Sequence, residues 1–182
     1  MNVPNADMSP PGAAFALAGM SRDIAVLTRI FCILAVALPI TVFCLAPQMW
    51  MALLLAAILW GTCRFVWSFY RPSRFEVRPD GLRIFFPWRT MLIPAGEITE
   101  VVPLSKDDLG FVIRTCGAGG LWGSFGGHWS RKFGRMLLYV SRSDEFVCIR
   151  RSGNRPILVT PTDRDRFIAE LQKAAAAAGG GQ

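Results

Sequence analysis

The sequence predicts a two-helix transmembrane hairpin followed by a mainly-β barrel of about seven antiparallel strands, closed by a C-terminal α-helix. Three observations carry that expectation. Two long uncharged runs lie close together near the N-terminus, the remainder alternates short apolar stretches with turn signals, and an amphipathic pattern comes last. They divide the 182 residues into a mobile tail at 1–22, a hairpin at 23–70, a strand-rich domain at 71–173 and an Ala/Gly tail at 174–182.

The composition agrees. Apolar residues make up 52% of the chain and charged ones 18%, which excludes a disordered chain and is too apolar for an ordinary soluble domain. The net charge is +7, with 17 arginines against 3 lysines.

Ile30 to Ala46 is seventeen residues without a charge, and Met49 to Cys63 adds fifteen. A spanning helix needs roughly twenty mostly apolar residues. Ile24–Leu27 and Phe65–Tyr70 supply the extensions, with Arg29 and Arg64 snorkelling toward headgroups. Trp50, Trp67 and Tyr70 read as interfacial anchors. Only Pro47-Gln48 joins the runs, so they form a tight hairpin. Arg22 and Arg29 precede it, and Arg64, Arg71 and Arg74 follow, which by the positive-inside rule puts both termini in the cytoplasm. A cleaved signal peptide ending at Cys44-Leu45-Ala46 is opposed by the following proline and by the second apolar span. The three prolines and small residues of the first twenty positions carry no period and read as the mobile tail.

From Arg71 to the end there are 17 basic and 11 acidic residues, a net of +6. Phe75–Arg78 alternates, Pro79-Asp80-Gly81 turns, and Leu82–Phe86 returns, a hairpin signature. Further strands are expected at 89–93, 98–102, 111–115, 136–140, 145–149 and 156–160. Thr162 is placed to cap a final helix whose apolar face is Phe167, Ile168 and Leu171, with Ala174–Ala178 extending it.

This order resembles the bacterial pleckstrin-homology-like domains, which often follow a membrane hairpin. The resemblance runs from about Phe75 to Leu171. It rests on Pro79-Asp80-Gly81-Leu82, on Ile93-Pro94 with Glu97-Ile98, on Arg114-Thr115-x-Gly117-x-Gly119, and on Thr160-Pro161 with Asp165 and Phe167-Ile168. The sequence departs from the family pattern after Gly123, where Ser124-Phe125-Gly126-Gly127-His128-Trp129 stands. The resemblance implies a non-catalytic protein of the bacterial inner membrane. Its cytoplasmic domain would mediate protein interaction or scaffolding with an unknown membrane or cytoplasmic partner.

Six glycines fall within Gly117–Gly127, beside Trp122, Phe125 and Trp129. Gly117, Gly119 and Gly123 approach a dinucleotide fingerprint, but no helix follows to present its N-terminus to a phosphate. The stretch therefore reads as a long connection between strands, and as the place to look for a partner. Candidate contacts are Arg114, Thr115, Gly117, Gly119, Trp122, Gly123 and Trp129, together with Arg131, Lys132 and Arg135. Arg71 and Arg74 join them as cations beside the membrane, and the alternative function is a sensor whose basic loops, Arg131 and Arg135 among them, bind anionic lipid headgroups. Service as an accessory subunit of a membrane enzyme or transporter is a further alternative. Nucleic acid is not expected, since no recognised motif accompanies the basic residues.

No catalytic, cofactor or metal site is expected. Cys32, Cys44, Cys63, Cys116 and Cys148 are scattered and odd in number, without a Cys-x-x-Cys pair, which fits a reducing compartment rather than a disulfide framework. His128 stands alone in a stretch that reads as flexible, and is expected to be exposed or locally hydrogen-bonded.

Overall fold

The computed structural model describes residues 12–45 and 49–179. Helix α1 spans Arg22–Leu45 and α2 spans Met49–Phe65, continuing as a π-helical turn over Val66–Tyr70. The joining residues, including Pro47-Gln48, lie outside the described residues. Both helices are long and apolar enough to cross a membrane, with mean hydropathies of 2.3 and 1.7 in their most apolar stretches. Those stretches are only 11% and 17% buried against the rest of the chain, which leaves most of their apolar surface uncovered. Ala35, Ala52 and Cys63 are among the few buried residues, small side chains of the kind that let two helices approach closely in lipid.

The remaining elements are strands β1 (Ala13–Ala16), β2 (Arg74–Arg78), β3 (Gly81–Phe85), β4 (Thr90–Pro94) and β5 (Ile98–Ser105), then a short helix α3 (Lys106–Leu109). Strands β6 (Val112–Gly119), β7 (Ser124–Ser130), β8 (Gly134–Val140), β9 (Glu145–Arg151) and β10 (Asn154–Val159) follow, and helix α4 (Arg164–Gly179) ends the described chain. They form a four-stranded sheet in the order β1-β2-β3-β4 and a six-stranded sheet in the order β5-β9-β10-β8-β7-β6. Among the described residues only the β10–β8 pair is parallel.

The expected closed barrel of about seven strands is corrected in two respects. There are ten strands among the described residues, and the sheets do not close. Pro94 ends β4, and a 3₁₀ turn over Ala95–Glu97 sends the chain into the second sheet. Helix α4 fills the space left between the sheets, with Phe167 and Leu171 fully buried among Phe75, Leu82, Ile84, Val147 and Ile157. Its cap is Asp163, whose carboxylate accepts the Arg166 N–H at 3.3 Å. The expected cap, Thr162, instead donates both N–H and hydroxyl to the Ala16 carbonyl, at 3.0 and 2.9 Å.

That contact bears on the expected mobile tail. Residues 13–16 form β1 against β2. Beyond it, the Ala18 N–H donates to Thr160 O at 2.9 Å, and the Ser141 hydroxyl donates to Ala18 O at 2.6 Å. The segment leading into α1 is thus strapped across both sheets. Positions 1–11 of that tail lie outside the described residues, as do 180–182 of the Ala/Gly tail. Ala174–Gly179 belong to α4.

The six-stranded sheet is apolar on both faces. Leu137 and Tyr139 of β8 turn toward the core between the sheets. Met136, Leu138 and Val140 turn outward, where Phe146, Cys148 and Leu109 of α3 pack with them.

Candidate functional site

The glycine stretch read as a loop is a β-hairpin. Strands β6 and β7 pair from Val112↔Ser130 to Gly119↔Ser124. Gly117 opposes Gly126 in that register, and a Cβ on Gly117 would stand 2.1 Å from the Phe125 carbonyl oxygen. Only glycine permits this approach, and its φ of +127° lies where side chains are disfavoured. Glycine has low strand propensity, so the pairing left no alternating signal in the sequence.

The hairpin tip docks on the two long helices. The Trp122 N–H donates to the Thr28 hydroxyl at 3.1 Å. That hydroxyl donates to the Ile24 carbonyl at 2.8 Å and lies 3.3 Å from the Gly120 carbonyl. The Trp122 ring meets Trp67 edge to face, centroids 5.1 Å apart. Arg71 lies over the other partner of that stack, its guanidinium 4.2 Å from the Trp67 centroid. Trp122 is the one non-glycine residue with positive φ among those described, at 57°. Arg74 covers Phe85 at 4.3 Å, so both arginines that follow the second long helix stack on aromatic rings.

Strand alternation sorts the remaining candidates onto two faces. One cross-strand row holds Ile113, Trp129 and Arg135. All three are exposed, and Phe111 beside them is 72% exposed. Arg131 and Lys132 occupy the adjoining turn, and among the described residues Arg131 and Arg135 have no ion pair. Six residues of extended chain separate Ile113 from Gly119, so this patch stands about 20 Å from the docked tip. The sequence grouped these residues with Trp122 and Gly123; the hairpin holds them at opposite ends. Thr115 is exposed at a register irregularity between Arg114 and Cys116.

The opposite face carries Arg114, His128 and Met136 in one row. It forms a wall of a cavity of about 400 Å³ against Ile24 of α1 and Lys106 and Leu109 of α3. His128 is 4% exposed rather than flexible. Its Nδ1 is 3.1 Å from the Gly126 carbonyl, which can only accept, so Nδ1 carries the proton and donates. Its Nε2 then accepts from the Ser124 hydroxyl at 2.9 Å. Burial lowers the His128 pKa below its ordinary value, the Gly126 bond opposes this, and the nearby Arg114 charge adds to it. The local hydrogen bonding was legible in sequence; the burial was not. Neither Lys106 nor Arg142, both on this cavity, was singled out by the sequence. Arg142 is paired with Asp144 at 2.8 Å.

Among the described residues no cluster of three or more His, Cys, Asp or Glu is placed to hold a metal ion. The five cysteines are free.

Residues 73–175 match the bacterial PH domain. The chain belongs to this family. Bacterial PH domains are generally non-catalytic binding domains, and here the matched region takes in both sheets from β2 onward and the first three turns of α4. No curated protein matches the chain, and no solved structure does. The β6–β7 hairpin lies wholly within the PH domain, while its tip reaches out to Thr28 and Trp67 beyond the matched region.

Proposed function

We propose that this chain is a membrane-anchored, non-catalytic interaction module, whose PH domain presents the Phe111–Ile113–Trp129 patch to a protein partner. The observation that carries the reading is the exposure of these three large apolar side chains beside Arg131 and Arg135. Contiguous exposed apolar surface of this kind marks a docking site, and aromatic and arginine residues dominate binding energy at interfaces. The cations select a partner with an acidic rim around an apolar centre. The fold adds rigidity. The domain is fixed to the helices by the strap before α1, by the turn after α2 and by the hairpin tip.

In this reading the two helices cross the bacterial inner membrane and both termini lie in the cytoplasm. Arg22, Arg29, Arg64, Arg71 and Arg74 at one end of the pair support that orientation. Reporter fusions after Gln48 and at the C-terminus test it; a C-terminus outside the cytoplasm overturns it.

The docking surface is tested with a photo-reactive amino acid at Ile113 in the full chain, in native membranes. A discrete protein adduct is expected from Ile113 and none from Gly96. Paired Arg131→Glu and Arg135→Glu replacements should remove the adduct. Adducts to lipid alone, or a protein adduct indifferent to those charges, would sink the reading.

A further inference from the structure

Four strands end the two sheets among the described residues: β1 and β4 in one, β5 and β6 in the other. Such edges carry backbone groups outside any ladder, and proteins blunt them with short strands, prolines and local covers. Three of the four follow that rule. Strand β1 has four residues, and β4 has five, the last of them Pro94. Strand β5 has eight, but Pro103 brings no N–H to its edge. The Ser105 N–H donates to the Asp108 carboxylate at 2.8 Å, and the Val101 carbonyl accepts from Gln172 Nε2 at 3.0 Å.

Strand β6 is the exception. It runs for eight residues without proline or lysine. It pairs with β7 along one side, and beyond that it meets the π-helical turn, where the hairpin tip reaches Trp67. Ile113, Arg114, Thr115 and Cys116 are exposed at consecutive positions. Its two faces differ in chemistry. Ile113 stands in the row of Trp129 and Arg135, and past the irregularity at Thr115 that face continues with Cys116, opposite Gly127. Arg114 points the other way and has no ion pair among the described residues.

We infer that β6 takes up an extended segment of the protein partner as an added strand, with apolar side chains over Ile113 and Cys116 and acidic ones beside Arg114. This gives the form of the partner at the docking patch and rests on that reading. An open edge supplies backbone bonds for affinity, and the alternation of its faces supplies specificity. The cation on one face selects a segment that alternates apolar with acidic residues. A second copy of this chain does not fit. With the helices in the membrane, β6 runs toward it, since Ile113 lies about 20 Å from the docked tip. Two copies in one membrane would bring their β6 strands together in parallel, and their two-fold axis would oppose donor to donor.

The test starts from the protein adduct captured at Ile113 of the full chain in native membranes. The cross-linked segment, identified by mass spectrometry, is synthesised as a peptide and as two versions N-methylated at alternate amides. Fluorescence anisotropy then measures the binding of each to the unmodified full chain, purified in mild detergent. The plain peptide should bind. Only one methylated version should lose affinity, about tenfold, because one edge of an added strand faces β6 and the other faces solvent. Arg114→Gln should weaken the plain peptide about fivefold, and an unchanged affinity would overturn the acidic alternation. Equal binding by the two methylated versions would overturn strand addition and leave the docking patch standing. Failure of the plain peptide to bind would do the same, since an added strand carries its affinity in its own backbone. Absence of any protein adduct at Ile113 would instead overturn the docking reading itself.

Discussion

The rings of Trp67 and Trp122 meet edge to face at 82°, centroids 5.1 Å apart, and join the end of the second helix to the tip of the β6–β7 hairpin. Trp122 reaches that position with φ at 57°, and a bulky residue held there costs about 1–3 kcal/mol. The stack and the bond to Thr28 offset that strain, since aromatic pairs and hydrogen bonds each contribute about 1 kcal/mol. The domain is therefore coupled to the helices through a contact that exists only when both are in place.

Thr28→Val keeps the shape and removes the acceptor of the Trp122 N–H. Loss of about 1 kcal/mol should raise local opening about fivefold. Hydrogen exchange on the full chain should show it at Gly120–Gly123 and leave β2 and β3 unchanged. Unaltered exchange at the tip would show that the hairpin is held by other contacts.

Gly117→Ala places a Cβ against the Phe125 carbonyl at 2.1 Å, on a φ of +127°. We expect a loss of about 2 kcal/mol and a thermal midpoint lower by roughly 5 °C. Gly96→Ala is the control, because nothing lies within 4 Å of its Cβ position and its φ is not positive. Equal midpoints for the two variants would mean that the Gly117–Gly126 approach relaxes freely.

What could be read from the sequence depended on how local the cause was. The helices were legible because seventeen uncharged residues from Ile30 need no context. The β2–β3 hairpin was legible from Pro79-Asp80-Gly81, and the apolar face of α4 from Phe167 and Leu171. Strand β1 was hidden because Ala13–Ala16 has little strand propensity; it exists by pairing with β2 and by Thr162 holding Ala16. Strand β7 was hidden for the same reason, its glycines serving a partner strand distant in sequence. The cavity was illegible because Ile24, Lys106 and His128 converge only through tertiary packing.

His128 gives the domain a pH dependence of definite sign. Burial holds its pKa below the ordinary value of 6.5, and the positive Arg114 nearby reinforces that. Lys106 and Arg142, on the same cavity, are cationic as well. The unfolded chain therefore takes up a proton before the folded one does. This contribution to stability is complete above pH 6.5 and shrinks as pH falls below it, down to the folded pKa. Thermal midpoints between about pH 7 and pH 5 should fall for the native chain and fall less for His128→Gln. Parallel curves would place the titration elsewhere.

Phe167 decides whether α4 is an integral layer or an attachment. It is fully buried, edge-on to Phe15 at 5.2 Å and to Phe75 at 6.0 Å. It thus ties the helix to β1 and β2 together. Removing a buried ring of this kind costs about 3–5 kcal/mol, or roughly 10 °C in a chain of this length. Phe167→Leu keeps most of the volume and should lose no more than about 1.5 kcal/mol. Because Phe15 lies in the strap before α1, Phe167→Ala should also raise hydrogen exchange at Ala18 and Thr162, whose N–H groups donate to the Thr160 and Ala16 carbonyls and tie the strap to the chain entering α4. A fall in midpoint without that local loosening would show that the ring stabilises the sheet but does not hold the strap.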